Sequence, residues 1–347
     1  MCIRDRLSAL QYAYDWKIRD EAAFNAEAQQ NPDHTDRFAQ TLSVTDIASK
    51  VNRRPRGVLP FNATTVSGFI DVQGDSLWWL VLASGEGFTG SIIDYGVYPE
   101  QPGDMWYKGK LRRALIPALK ADSIEAALHR GLTDLTNKLC GRDWIIEGTN
   151  ETAVARMSRL MIDANWPVST QIVYEVCRQS PFAAVMTPSH GHTMTAAQRP
   201  YSEHSKAPGQ KIGNEWKLVR DPKKRPIPYC LIDTNYWKTF AFSRLATQPG
   251  GRGGFDLFGD DPKKHILLAQ HFTSEYRVET EGRGRKVDQW NLPTDRPDND
   301  WWDCLVGACV AASIEGVALE EHDTKTESET DYSKRRWDQF LARAKRR

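Results

Sequence analysis

The pattern of apolar and polar positions changes character along the chain. Up to about residue 55 the sequence is polar and charged. Leu7, Leu10, Tyr14 and Trp16 fall loosely at helical spacing, which predicts a helix within "LSALQYAYDWKIRDEAAFNAEAQQ". "QNPDHTD" breaks it, and "VTDIASKV" behind Ser43 or Thr45 predicts a second, short helix with its own capping residue. "NRRPRGVLPFNA" reads as a lead-in linker. From about residue 65 the period shortens. "TVSGFIDVQGD", "SLWWLVLAS" and "GSIIDYGVYPE" predict three strands joined by tight turns, an antiparallel meander. Ile124, Leu128, Leu132, Leu135 and Leu139 then recur every three or four residues, which predicts an amphipathic helix starting at Asp122 or Ser123.

The remaining pattern alternates. "ARMSRLMIDANWP" predicts a strand ending in Asp163, Pro167 opens a helix over "VSTQIVYEVCRQS", and "FAAVMTPS" predicts another strand. Three strands, helix, strand, helix, strand is an α/β order, a mixed sheet with crossover helices. Residues 187–227 read as a long basic loop or hairpin inserted into it. "PYCLIDTNYWKTFAFSRLA" predicts a strand and a helix, "TQPGGRGGFDLFGDDP" a glycine-rich loop, and "RPDNDWWDCLVGACVAASIEGVAL" a late helix with Asp298, Asp300 and Asp303 near its start. The predicted organisation is therefore a helical and linker segment over 1–60, one domain over 61–318 and a charged, flexible tail over 319–347.

Composition narrows the function classes. With 347 residues and 40% hydrophobic positions the chain can build a sizeable core. A formal net charge of +1 excludes a whole-protein basic field, so a nucleic-acid surface has to be a local patch. Six cysteines without a CxxC pair argue against a zinc ribbon or a disulfide framework. No apolar run approaches the roughly 18 residues that span a bilayer and no signal peptide is visible, so no membrane partner is expected.

The chemistry-bearing candidates are carboxylates. Asp71 interrupts the apolar run "GFIDVQGDSLWWLVLA", Asp163 ends the fourth strand and Asp303 lies in the opening turns of the last helix. An ionised carboxylate in a core needs a partner, and Asp71 has no basic neighbour on its own strand. Oxygen-only ligands suit Mg2+ or Mn2+, and a pair of such ions supports phosphodiester hydrolysis. Each aspartate alone reads equally as a solvated strand end or a cap, and Asp300 as a helix-capping residue. Arg199, Lys206, Lys211, Lys217, Arg220, Lys223, Lys224 and Arg225, interleaved with Tyr201 and Trp216, suit a phosphate backbone or a solvated loop. His190, His192 and His204 make a weak metal pattern. Cys304 and Cys309 fall on an apolar helical stripe, and Trp78, Trp79, Trp166, Trp301 and Trp302 flank the acids.

Longer blocks add a family resemblance. "IDVQGD", "LMIDANW", "VYEVCRQSPFAAVMTPSHG", "DTNYWKTFAFSRLA", "HFTSEYRVETEGRGRKVDQW" and "PDNDWWDCLVGACVAAS" resemble, in order, the ribonuclease H-like nuclease domain of phage terminase large subunits of the gpA type. "EAQQNPD" is similar to the segment that links that family's ATPase to its nuclease. The resemblance implies a DNA endonuclease that cuts concatemeric viral DNA in the host cytoplasm. It implies Asp71, Asp163 and Asp303 as catalytic ligands of two Mg2+ or Mn2+ ions, with Asp75 as an auxiliary ligand. Double-stranded viral DNA, the terminase small subunit and the portal or procapsid are the implied partners. Two features depart from the family. Asp300 stands where it commonly has His, and no GxxxxGK[ST] loop is found, so the packaging ATPase is not expected in this chain. A junction resolvase, an RNA-strand nuclease and a non-catalytic DNA-docking module remain as alternatives.

Overall fold

A computed structural model describes residues 42–318, except 104–106, 108–109, 150–152, 207, 222–224, 226, 249 and 296. The predicted helix near the N-terminus, the charged tail, Lys223 and Lys224 lie outside the described residues.

The packed unit begins before residue 61. Helix α1 (Val44–Ala48) carries a capping box in which the Ser43 hydroxyl accepts from the Asp46 N–H and the Asp46 carboxylate accepts from the Ser43 N–H. Its Ile47 is fully buried. Strand β1 (Val58–Leu59) follows, and then the meander: β2 (Thr65–Val72), β3 (Leu77–Ser84) and β4 (Gly90–Tyr98). Every residue of β2 and β3 is buried, as expected for strands covered on both faces. The short α2 (Leu115–Leu119) and the amphipathic α3 (Ile124–Gly141) lead to β5 (Trp144–Ile146), β6 (Val154–Ala155) and β7 (Arg159–Asp163). Helix α4 (Pro167–Gln179) has proline in its first turn and crosses over to β8 (Met186–His192).

The segment read as a basic loop or hairpin contains a short hairpin. Residues 182–185 belong to a turn, β8 runs on to His192, and β9 (Lys211–Ile212) and β10 (Trp216–Val219) add two antiparallel strands at the sheet edge. Strand β11 (Tyr229–Asp233) and helix α5 (Thr234–Ala246) match expectation. The glycine-rich stretch conceals β12 (Phe255–Leu257), which pairs in parallel with the start of β4. Helix α6 (Ile266–Phe272), the hairpin β13 (Tyr276–Gly282) and β14 (Arg285–Asn291), and helix α7 (Asp300–Ile314) complete the fold.

Among the described residues, nine strands form the main sheet in the order β12-β4-β3-β2-β7-β8-β11-β10-β9. Strands β2, β3 and β4 are antiparallel, while β2, β7, β8 and β11 run parallel. The central order, with the meander on one side and the crossover strands on the other, is ribonuclease H-like. The pleat sends alternate residues to opposite faces. Ile70, Val81, Leu160 and Ile162 pack with α3 and α4. Phe69, Trp78, Met161 and Ile232 pack with α5, α6 and α7.

Candidate metal centre

Register brings the first two acids together. Ile70 pairs with Ile162 across the parallel β2 and β7. Asp71 and Asp163 are the next residue on each strand, so they sit side by side on the face that α7 covers. Helix α7 supplies the third acid because it lies unusually close to β2. A Cβ on Gly307 would stand 1.9 Å from the Phe69 ring, so glycine is what permits the approach. The Ser67 hydroxyl donates to the Ala308 carbonyl at 2.9 Å, and the Cys304 thiol donates to the Trp78 carbonyl at 3.4 Å. The Trp301 ring meets Trp78 edge-on at 4.9 Å, and its N–H donates to the Gly96 carbonyl.

Asp71, Asp163 and Asp303 line one cavity of about 280 Å³, with Asn165, Ser189 and Lys238 also in its wall. Burial, followed by the charges of Asp300, Asp163 and Asp303, pushes the Asp71 carboxyl well above the usual range. Only the Gln73 amide, donating at 2.6 Å, works the other way. Burial also lifts Asp163 to about 7, against the N–H groups of Asn165 and Ala164. Asp303 is held differently. Its carboxylate meets the Lys238 ammonium at 3.0 Å and accepts from the Asn299 amide at 3.1 Å. Burial would push the Lys238 ammonium down, but Asp303 and Glu275 outweigh it and hold it above its ordinary value.

Among the described residues no group of three His, Cys, Asp or Glu side chains is gathered tightly enough to hold a metal ion. The acids share a cavity, yet each is drawn to its own partner: Asp71 to Gln73, Asp303 to Lys238 and Asn299. The donor chemistry nevertheless fits a hard cation. Three carboxylates converge on one partly buried space, and Lys238 is the one cation in its wall among the described residues.

The other candidates are scattered. Asp75 does not line the cavity. It sits in the β2–β3 turn, where its carboxylate accepts from the Ser76 hydroxyl. Asp300 is not the cap, since Asn299 holds that position and Asp300 is fully buried behind it. His190 lies between Asn165 and the Tyr174 hydroxyl, His192 meets Tyr201, and His204 meets the Arg199 carbonyl, so the three histidines make separate contacts. Of the basic residues, Lys206 and Arg220 are exposed and Lys217 is half-buried. The Lys211 ammonium donates to the Ile314 carbonyl at the end of α7. The Arg225 guanidinium stacks on Tyr174 of α4, on the sheet face away from the acids.

Sequence reasoning missed Lys238 and Asn165. A lysine in "TNYWKTFAF", a helix otherwise crowded with apolar residues, was a signal for the first. Asn165, two residues after Asp163 in "IDANW", carried no distinguishing signal.

Comparison with known proteins bears on this geometry. No curated protein matches the chain. Among solved structures, similarity is found to the manganese-containing nuclease domain, in a lysine-to-alanine mutant, of the large terminase subunit gp2 of bacterial virus Sf6. The two are 10% identical, the TM-score is 0.35, and the match covers 78% of this chain and 96% of that one. The family model for the terminase large subunit gpA endonuclease domain matches residues 34–324, which hold the whole sheet and all three acids, and the chain belongs to that family.

Proposed function

We propose that this domain is a metal-dependent DNA endonuclease of the phage packaging machinery, cutting concatemeric viral DNA by hydrolysis of phosphodiester bonds. The observation that carries this reading is the meeting of Asp71, Asp163 and Asp303, from two strands and a helix far apart in sequence, on one cavity. These three residues would hold two Mg2+ or Mn2+ ions. When bound, such ions supply the charge that lowers the pKa of an attacking water and stabilises the leaving 3′ oxygen. Asp71 and Asp163 have to surrender any proton they carry, which their raised pKa values make dependent on pH. Asn165 holds Asp163 through its backbone N–H at 3.3 Å, and Asn299 with Lys238 orients Asp303. No protein nucleophile is required.

The domain would act in the host cytoplasm on double-stranded DNA, with the terminase small subunit and the portal or procapsid as partners. The nuclease unit would include α1 and β1 as well as residues 61–318, since both elements pack into it. The decisive experiment is nicking of supercoiled plasmid with Mn2+. Wild-type protein should nick and Asp71→Asn should not. A wild type that leaves plasmid intact but binds it would make the domain a DNA-docking module. Preferential cleavage of four-way junctions or RNA–DNA hybrids would assign it to the other nuclease classes.

A further inference from the structure

We propose that a cationic groove along the free edge of β4 grips the phosphate backbone of the duplex flanking the cut. The inference rests on the nuclease reading for its choice of ligand, but its geometry is separate from the acids. On β4, strand β12 reaches Gly90, Ser91 and Ile92. From Asp94 to Tyr98, no strand pairs with the outer edge of β4 among the described residues. A groove of about 810 Å³ follows this stretch.

Charge selects the ligand. Among the described residues, Arg56, Arg112, Arg113, Lys138 and Lys264 line the groove against a single carboxylate, Glu100. In a chain whose formal net charge is +1, this is a concentrated local excess. Arg56 is committed, bridging Asp94 and the Tyr95 carbonyl. The other four are exposed. Arg113 makes a long 3.4 Å contact with the Glu100 carbonyl, and Lys138 lies 6.0 Å over the Trp79 ring. Neither Arg112 nor Lys264 has a carboxylate partner among the described residues. Four cations are therefore available to a polyanion.

The walls favour a duplex over a stacked single strand or an added peptide strand. Trp79 is already covered by its neighbours and offers no open face for a base. Along β4 the successive Tyr95 and Gly96 carbonyls, of which one faces the free edge, already accept from Arg56 and from the Trp301 N–H, while Pro99 has no N–H to give. A peptide seeking main-chain pairing finds these groups spent. Side-chain cations reaching a phosphate backbone are what remains.

Position ties the groove to the reaction. Asp71 pairs with Trp78, and Trp78 pairs with Val97 in the groove wall. Two strand spacings, about 10 Å, separate the two levels of the sheet. The first turns of α7 serve both places, with Trp301 in the groove and Asp303 in the acid cavity. A duplex lying over the acids would thus run its backbone along β4.

The test measures binding without hydrolysis. Anisotropy of a labelled 30-base-pair duplex, in EDTA and across a salt series, is read for the full chain, for Arg112→Ala/Arg113→Ala/Lys138→Ala and for Asp71→Asn. The triple variant should lower the slope of log K against log salt by about 2–3, and weaken binding on the order of a hundredfold at ~0.1 M salt. Lys264→Glu, a single exposed change, should weaken binding in the same direction and guards against misfolding of the triple variant. Asp71→Asn should keep the wild-type slope. An unchanged slope in both groove variants overturns the proposal, including the case in which an acidic peptide with the sequence of residues 320–331 binds there instead. If Mn2+-dependent nicking is absent yet the slopes fall as stated, the hydrolytic reading fails and the groove stands.

Discussion

Two buried aspartates in one sheet are treated in opposite ways. Asp94 on β4 is 2% exposed and Asp71 on β2 is 6% exposed. Asp94 is clamped by Arg56 at 2.5 Å and Arg142 at 2.7 Å, so its burial is offset by two guanidinium groups. Asp71 has a single neutral amide, that of Gln73, and faces Asp163, Asp300 and Asp303. The fold can thus bring cations to an interior carboxylate, and at Asp71 it brings more negative charge instead. Such a concentration of like charge around Asp71 is destabilising, and it is the arrangement expected where an external cation completes the balance.

The largest expected effect separates the two residues by activity. Asp71→Asn or Asp163→Asn should reduce Mn2+-dependent plasmid nicking by at least on the order of 10²–10³, as for loss of other charge-stabilising groups. Asp94→Asn should leave nicking within a few-fold when assayed well below its melting temperature. Comparable losses in all three variants would erase the distinction.

Stability should show the reverse ranking. Arg56→Ala with Arg142→Ala strands Asp94 in the interior and should cost about 3–5 kcal/mol in urea unfolding, an upper range because both arginines are partly solvated. Gly307→Ala drives a methyl into Phe69 and should cost about 1–3 kcal/mol, with nicking reduced as Asp303 is displaced. A cost near zero would mean that α7 can retreat from β2 without consequence.

The smallest effect is a pH signature. Asp163 titrates near 7 when folded and close to 3.8 when free, and Asp71 shifts in the same direction. Between those values the folded protein holds protons that the unfolded chain has released. Their contribution to stability is therefore full below about pH 3.8 and is lost as pH rises through 7. Melting temperature in EDTA should fall over this window relative to Asp163→Asn, by a few degrees, and Mn2+ should restore it at high pH. Parallel melting curves for both proteins would show that the charge cluster costs nothing.

Much of this was legible in the sequence, for identifiable reasons. Helices α3 and α4 bury one face each, so their apolar period stands out. Asp71 was visible because an acid in the continuous apolar run of a doubly covered strand is conspicuous. Other elements depended on contacts far away in the chain. Three residues, Phe255–Leu257, become β12 only because β4 offers them an edge. The basic segment reads as a loop or hairpin, and its partners are distant in sequence: Trp216–Val219 pairs with β11, and Arg225 stacks on Tyr174. The groove cations come from four parts of the chain, at 56, 112–113, 138 and 264, and although 112–113 end a short basic run, only the fold brings them to one groove.

The sheet order has one more consequence. From β2 the chain lays its next strands to one side, then returns to place β7 and β8 on the other. Where neighbouring connections leave in opposite directions, the ends of two parallel strands open a crevice. Asp71 and Asp163 occupy that opening, so the proposed reaction centre is positioned by the route of the chain through the sheet, before any loop or surface residue contributes.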